Sequence, residues 1–311
     1  MTDTTREIFE KHEIRKTKEQ RRSFREYIIS YAKELGYEAK EEKVTKNSAN
    51  IVIGNPEAAD VIYTAHYDTC ATMPFPNFIT PRCLPIYLLY QLILTTIIFI
   101  IPIIMMFVLA PMALERTDSK ALYLLLLLGG YAVMILTIYL MMKGPANKHT
   151  ANDNTSGVTL LADIMKDMPL ELKDKAAFIF FDLEELGTVG SKIYKQKHPK
   201  VAKLKPVINF DCVSDGKSIL FVLKKKASDL APKIEQAFKP NDTYTVEVVC
   251  KGAFYPSDQR NFELGVGVAA LNKTKRGLLY MNKIHTKRDT VYDEENIEFL
   301  KAGAIELTRI I

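Results

Sequence analysis

Two stretches of this chain restrict its fold more than anything else in it. Residues 84–114, LPIYLLYQLILTTIIFIIPIIMMFVLAPMAL, hold no charged side chain, and neither do residues 121–142, ALYLLLLLGGYAVMILTIYLMM. Each is longer than the ~20 apolar residues that cross a bilayer core. The connection ERTDSK (115–120) carries every charge of the region. The pattern predicts a transmembrane helical hairpin. A pair of buried core helices is the alternative, but such helices usually carry a polar stripe, and none is visible here. Pro102 falls mid-segment and predicts a kink. The first segment exceeds a straight span, so part of it is expected to lie in the interface.

The rest of the sequence is of another kind. Over 311 residues the hydrophobic fraction is 48%, the charged fraction 25% and the mean hydropathy −0.03. These values exclude a mainly disordered chain, and the two segments account for the apolar excess. Lys plus Arg number 42 against 37 Asp plus Glu, a net +5 spread along the chain, so no nucleic-acid partner is expected. Residues 1–50 contain no apolar leader core, and no signal peptide is expected. Cys70, Cys83, Cys212 and Cys250 show no paired spacing and fit free thiols in a reducing compartment. Arg15, Lys16, Lys18, Arg21, Arg22 and Arg25 form a basic run. It reads as a solvated helix face or, more sharply, as a contact for anionic lipid headgroups.

Residues 5–36 read as one helix stopped by Gly36. Short β-rich runs follow at 50–54 and 61–69, and Gly144-Pro145 ends the hairpin. From residue 150 the chain alternates. Helices are expected at 158–168, 188–197 and 294–311, the last capped by Asp293, and apolar strands at 176–185, 207–213, 218–224, 244–250 and 266–272. Near-continuous apolar strands separated by helices predict a sheet covered on both faces. The expected fold is a three-layer α/β/α sandwich with a mixed, largely parallel central sheet. Residues 1–83 and 144–311 form its two parts, and 84–143 are an inserted hairpin.

Acids and histidines gather at strand ends and strand-to-helix turns. His66 and Asp68 stand in HYD, Asp153 in NDNTSG, Glu184 and Glu185 after AAFIFFDL, Asp211 after VINF, and His285 in IHTKRDT. Ligands of open α/β sheets bind at the carboxyl ends of the strands. Singly, each residue has an ordinary explanation: a packed strand histidine, a helix cap, a solvated loop. Asp211 is harder to explain so, because a buried unpaired carboxylate is costly. Two histidines and three carboxylates suit a pair of zinc-type ions, with one carboxylate able to bridge. Of the adjacent glutamates, one can bind metal while its neighbour stays free as general base. Asp68 is placed to orient the His66 ring. His12, His149 and His198 lie outside these motifs and read as surface residues.

The series HYD, NDNTSG, FFDLEELGTVGS, NFD, SDQRNF and IHTKRDT resembles the zinc-dependent exopeptidases of metallopeptidase family twenty-eight. That family includes bacterial leucyl aminopeptidases, with glutaminyl cyclases as more distant relatives. The resemblance covers most of residues 20–83 and 144–311 and omits the hairpin. It implies two zinc ions: Asp153 bridges them, His66 and Asp211 complete one site, and Glu185 and His285 the other. It implies Glu184 as general base, Asp68 as support for His66, and Ser257 and Asp258 near the substrate pocket. Tyr255 is a candidate for polarising the scissile carbonyl. Gln259 departs from the pattern, where the family often has a histidine after SD. A cis peptide between Asp153 and Asn154 is also implied.

The function expected is a membrane-anchored di-zinc aminopeptidase acting on peptides, hydrophobic or membrane-proximal ones first. Other amide chemistry on the same site, carboxypeptidase or glutaminyl cyclase, is the alternative. The cyclases generally use one zinc and a tryptophan-lined pocket, and this chain has no Trp. A non-catalytic membrane-tethered binding module is the third reading. The bilayer is a partner through residues 84–143, and the hairpin also offers a surface for oligomers. Arg82, Lys143 and Lys148 flank the segments, whereas 115–120 balances two charges of each sign. The positive-inside rule therefore places the catalytic part in the cytoplasm.

Overall fold

A computed structural model describes residues 1–311. The amino-terminal region is two helices, α1 (Asp3–His12) and α2 (Lys18–Glu34), not the single helix expected. Thr17 explains the break: its hydroxyl accepts from Gln20 N and the Gln20 side chain accepts from Thr17 N, a capping box that starts a new helix. Gly36 ends α2 at φ +84, a conformation that disfavours any side chain. Then come β1 (Ala39–Thr45), β2 (Ser48–Ile53) and β3 (Val61–His66).

The chain next leaves the sheet body. Helix α3 (Leu84–Ile104) runs through a wide turn at Met105–Leu109, where Ala110 N reaches back to Met105 O, into α4 (Ala110–Thr117). Helix α5 (Lys120–Lys143) returns antiparallel. These helices pack on one another, and their large apolar side chains are mostly exposed. At Gly130 a Cβ would stand 2.5 Å from Met106 Cγ, so the glycine sets the close approach of the two arms. Entry and exit are joined at the base, where Ala71 bridges Ala146 and Asn147 N donates to Cys70 O at 3.2 Å.

The second part supplies α6 (Ser156–Asp167), β4 (Ala176–Phe181), α7 (Val189–Lys197), α8 (Pro199–Leu204), β5 (Val207–Phe210) and β6 (Ser218–Leu223). It ends with α9 (Ala231–Ala237), β7 (Thr245–Val249), β8 (Gly265–Lys273), β9 (Leu279–Tyr280) and α10 (Glu294–Ile310). The sheet order is β1-β2-β4-β3-β5-β8-β6-β7, with β9 on β8. The central run β4-β3-β5-β8 is parallel, and antiparallel pairs join it to β2 and β6.

Alternation along the strands sorts side chains into two cores. Val61, Tyr63, Phe178 and Phe180 face the core covered by α1, α2, α6, α9 and α10. Ile62, Ile179 and Phe181 face the core covered by α7 and α8. Burial on both faces is why these strands read as unbroken apolar runs. The fold is the expected mixed three-layer α/β/α sandwich.

The basic run is not uniformly solvated. Arg15 is 0% exposed, and Arg25 is buried beside Glu41 and Asp182. Only Lys16, Lys18, Arg21 and Arg22 retain an outward portion. His12 is also buried, stacked on Tyr27 at 5.0 Å, which corrects its reading as a surface residue. His149 is exposed, and His198 is partly covered, its Nε2 2.8 Å from Glu42.

Candidate metal centre

Three neighbouring parallel strands end at one edge of the sheet: β3 in His66, β4 just before the Asp182–Thr188 loop, and β5 just before Asp211. The segment 152–157 is fitted between them. Asn154 Nδ2 donates to Phe210 O at 3.0 Å, and its Oδ1 accepts from Cys212 N at 3.2 Å and Gly157 N at 3.1 Å. Asn152 Oδ1 accepts from Ser214 N at 2.8 Å and Asp215 N at 3.1 Å. A Cβ on Gly157 would stand 2.5 Å from Phe210 O, so only glycine lets α6 start this close to β5. The Asp153–Asn154 peptide is cis. Leu183, Cys212 and His285 hold positive φ of 60, 58 and 63, the strained backbone that clusters at functional sites.

This framework aims five side chains at one point. The Asp153 carboxylate lies between two imidazoles, Oδ1 3.3 Å from His66 Nε2 and Oδ2 3.0 Å from His285 Nε2. Asp211 Oδ1 is 3.5 Å from His66 Nε2, and Glu185 Oε2 is 3.4 Å from His285 Nε2. Asp68 stands behind. His66 Nδ1 lies 3.1 Å from its carbonyl, and its carboxylate accepts from Glu184 N at 2.9 Å and Glu185 N at 3.2 Å. It thus fixes both the ring and the glutamate pair. Glu184 opens on a separate small cleft with Thr188, Lys192 and Arg260.

Burial and crowding shift these groups strongly. Burial alone would lower the His285 pKa, but Glu185 and Asp153 outweigh it and hold it at about 9. Burial lifts Glu185 to about 8 against the pull of His285. Burial also lifts Glu184 well above the carboxylate range, with His66 opposing. For Asp153 hydrogen bonds from His285 and His66 overcome burial and lower the pKa. Glu185 Oε1 is buried with no hydrogen-bond partner. Imidazole plus carboxylate, converging around an orphaned buried oxygen, fits a divalent metal of the zinc type.

The three residues expected near the substrate stand beside the centre. Tyr255 is buried and its hydroxyl donates to Asp211 O at 2.9 Å. Ser257 is wholly buried, its Oγ accepting from Asn209 Nδ2 at 3.0 Å. Asp258 is wholly buried on Ser191 Oγ at 2.5 Å. Ser257 also lines the cleft of Glu184, and the second carboxylate oxygen of Asp258 is buried without a hydrogen-bond partner. Gln259 is buried too, donating to Tyr255 O at 2.8 Å.

Other supporting residues carried no sequence signal or a weak one. Asp289 accepts from Asn152 N at 2.9 Å and Asp153 N at 3.0 Å; its place four residues after His285, in the same motif, was the available clue. Arg15 Nε donates to Tyr67 O at 2.5 Å and its Nη2 to Thr155 Oγ1 at 3.1 Å, tying HYD to NDNT from behind. A cleft of about 770 Å³ is lined by Glu185 and His285 and by Met141, Met142 and Lys143 of α5.

The family model of Peptidase family M28 matches residues 137–307, and the chain belongs to that family. No curated protein sequence matches it. Among solved structures it is similar to the Legionella pneumophila LapA aminopeptidase, with a TM-score of 0.57 at 12% identity over 98% of this chain and 69% of that one. It is similar to a Porphyromonas gingivalis glutaminyl cyclase, with a TM-score of 0.56 at 15% identity over 99% and 97%. A Zn-dependent exopeptidase from Parabacteroides distasonis gives 0.55 at 14% over 98% and 97%. At these identities the likeness concerns the fold.

Proposed function

We propose that this M28 peptidase is a membrane-anchored di-zinc aminopeptidase. The observation that carries the reading is the Asp153 carboxylate, which gives one oxygen to each of two imidazoles, the arrangement of a carboxylate shared by two cation subsites. His66, Asp153 and Asp211 would hold one ion, and Asp153, Glu185 and His285 the other. When bound, such a pair supplies Lewis acidity toward water and the scissile carbonyl. Glu184, beside the centre but turned toward a second cleft, takes the proton of the attacking water and passes it to the leaving amine. Its raised proton affinity suits that shuttle. Asp68 positions His66 and the glutamate backbone together.

The division into a catalytic body (1–83, 144–311) and a bilayer-spanning hairpin (84–143) is part of the same proposal. Support comes from the exposed apolar surface of α3 and α5 and from the cleft that joins Glu185 and His285 to the base of α5. Peptides held at the membrane face would enter directly there. Lys148, Lys287 and Arg288 surround the hairpin base, which favours a cytoplasmic catalytic side.

The activity is tested with the full zinc-loaded chain in detergent on matched free-amino and N-acetylated peptides. Shortening from the free amino end alone is expected. Removal of carboxy-terminal residues, or ring closure of amino-terminal glutamine with no hydrolysis, would overturn it. Orientation is tested by Ser119→Cys, with the native cysteines replaced: an impermeant maleimide should label it in intact cells. Protection there would overturn the orientation.

A further inference from the structure

Cys70 belongs to none of the residues given a role above, yet its thiol stands in the metal centre. Its sulfur, a Glu185 carboxylate oxygen and a His285 ring nitrogen all lie within 4.8 Å of one another. The three arrive from separate segments: the loop after β3, the loop after β4 and the strained turn at 285. Cys70 is buried, free of any disulfide, and fixed through its carbonyl to Asn147 at the base of the hairpin. Glu185 meets His285 through Oε2, and its other oxygen, Oε1, is buried without a partner. Leaving it so is costly, and a cation among these three groups would satisfy it. The second cluster, His66, Asp153 and Asp211, contains no cysteine. Cys212, near it, donates its thiol to Asp211 Oδ1 at 3.1 Å.

We propose that Cys70 is a metal ligand, completing with Asp153, Glu185 and His285 a site of four protein ligands; this rests on the two-zinc reading above. On binding, the S–H bond is replaced by a sulfur–metal bond and the proton leaves to the buffer. The two subsites then differ in kind. Zinc sites with four protein ligands are closed, whereas three ligands leave a position open. The Cys70 subsite would hold its ion with one protein ligand more than the His66 subsite, and so the more tightly of the two. A thiolate also biases the Cys70 subsite toward zinc and away from oxygen-preferring ions such as magnesium or manganese.

The test reads the metal itself. Cobalt(II) is titrated into the metal-free full chain in detergent and followed by absorption. A sulfur-to-cobalt charge-transfer band in the near ultraviolet should grow with one of two equivalents. Cys70→Ser should lose it, while Cys83→Ser, Cys212→Ser and Cys250→Ser keep it. Losing an outer-shell partner already costs 10–100-fold in affinity, so Cys70→Ser should weaken one ion at least about tenfold and spare the other. Zinc X-ray absorption on the unmodified protein needs no variant and should show sulfur at about 2.3 Å. Two bound ions with neither band nor sulfur would overturn the role of Cys70 and leave the two-zinc reading standing. A band that survives Cys70→Ser and disappears in Cys212→Ser would also overturn it. Fewer than two ions in the unmodified protein would overturn both.

Discussion

In the sheet body Tyr63, Phe178, Phe180 and Phe210 are wholly enclosed, whereas Leu92, Leu125, Leu128 and Ile135 of the hairpin face outward. The body also encloses polar groups, and nearly all of them are paired: Asn152, Asn154 and Asp289 each bind two or more backbone groups. The hairpin encloses almost no polar side chains. Thr96, Thr117 and Thr137 return their hydroxyls to their own helix, Thr96 to Leu92 O and Thr137 to Val133 O, each at 2.8 Å. A continuous apolar surface of this size is unstable in water. The contrast fits one chain built for two solvents, and the effects of substitution should invert between its two parts.

The largest effect belongs to the buried polar centre. Glu184→Gln should lower kcat by about 10²–10⁴-fold, the range for loss of a general acid–base, with zinc content unchanged. Glu185→Gln should lose zinc instead. Metal analysis beside kinetics separates the two, and equal zinc loss in both would show the roles to be misassigned.

Next is Arg15→Met. The side chain is similar in bulk, but the carbonyls of Tyr67 and His12 lose their donor, while Glu13 O keeps the Thr150 hydroxyl. Each buried acceptor left unpaired costs about 1–3 kcal/mol, so a loss of about 2 kcal/mol or more is expected in thermal unfolding of the full chain. No loss would mean that water reaches this guanidinium.

Arg15 also marks the limit of what the sequence makes legible. Apolar runs and motif order were enough for the sheet, its two-sided burial and the convergence of His66, Asp153, Glu185, Asp211 and His285, because burial and ligand chemistry leave residue types behind. Strand β1, AKEEKVT, was not expected, because as an edge strand it is mostly exposed and carries no apolar alternation. The Thr17 cap was hidden within a helical pattern. The basic run looked like one surface because charge alone does not say which arginine finds carbonyl partners. Cys70 reads in the sequence as one of four free thiols, since only the fold brings Glu185 and His285 to it. Tyr255, Ser257 and Asp258 stand beside the site as their motif suggests, but the sequence does not say which of their polar atoms are already hydrogen-bonded within the protein.

A charge on the hairpin tests the comparison from the other side. Leu125 is 68% exposed, so in water Leu125→Lys would be neutral or would improve solubility. In a bilayer core the same lysine costs about 2.5–3.5 kcal/mol. Reduced membrane insertion, read by carbonate extraction, is expected. Unchanged insertion would count against the span.

The centre, not the hairpin, should carry the pH dependence. In the metal-free chain His285 is held at about 9, above its ordinary 6.5, so its stabilisation is present below pH 6.5 and is lost as pH rises toward 9. Glu185, lifted to about 8, acts with the same sign, because above its ordinary range the unfolded state releases that proton more readily. The slope for one proton is at most about 1.4 kcal/mol per pH unit. Zinc competes with these protons, so the gap in Tm between zinc-loaded and metal-free protein should widen from pH 6 to 9. A constant gap would mean that neither group titrates on metal binding.

The smallest effect lies where the two regions meet. Lys16 is the sequence neighbour of Arg15, but its Nζ reaches out to Met142 O at 3.1 Å, in the last turn of α5. A lysine there satisfies one of the free carbonyls at the helix end and complements its dipole. Because the contact is exposed, it competes with water, and Lys16→Gln should cost less than about 1 kcal/mol. Thermal unfolding should barely distinguish it from the parent, while Arg15→Met is severely destabilised. Lys16 also lines the large cleft, so KM for peptides embedded in vesicles should change more than KM for short soluble peptides. Equal changes for both substrates would mean that Lys16 serves the cleft alone and that the tether to α5 has no part in presenting membrane-held peptides.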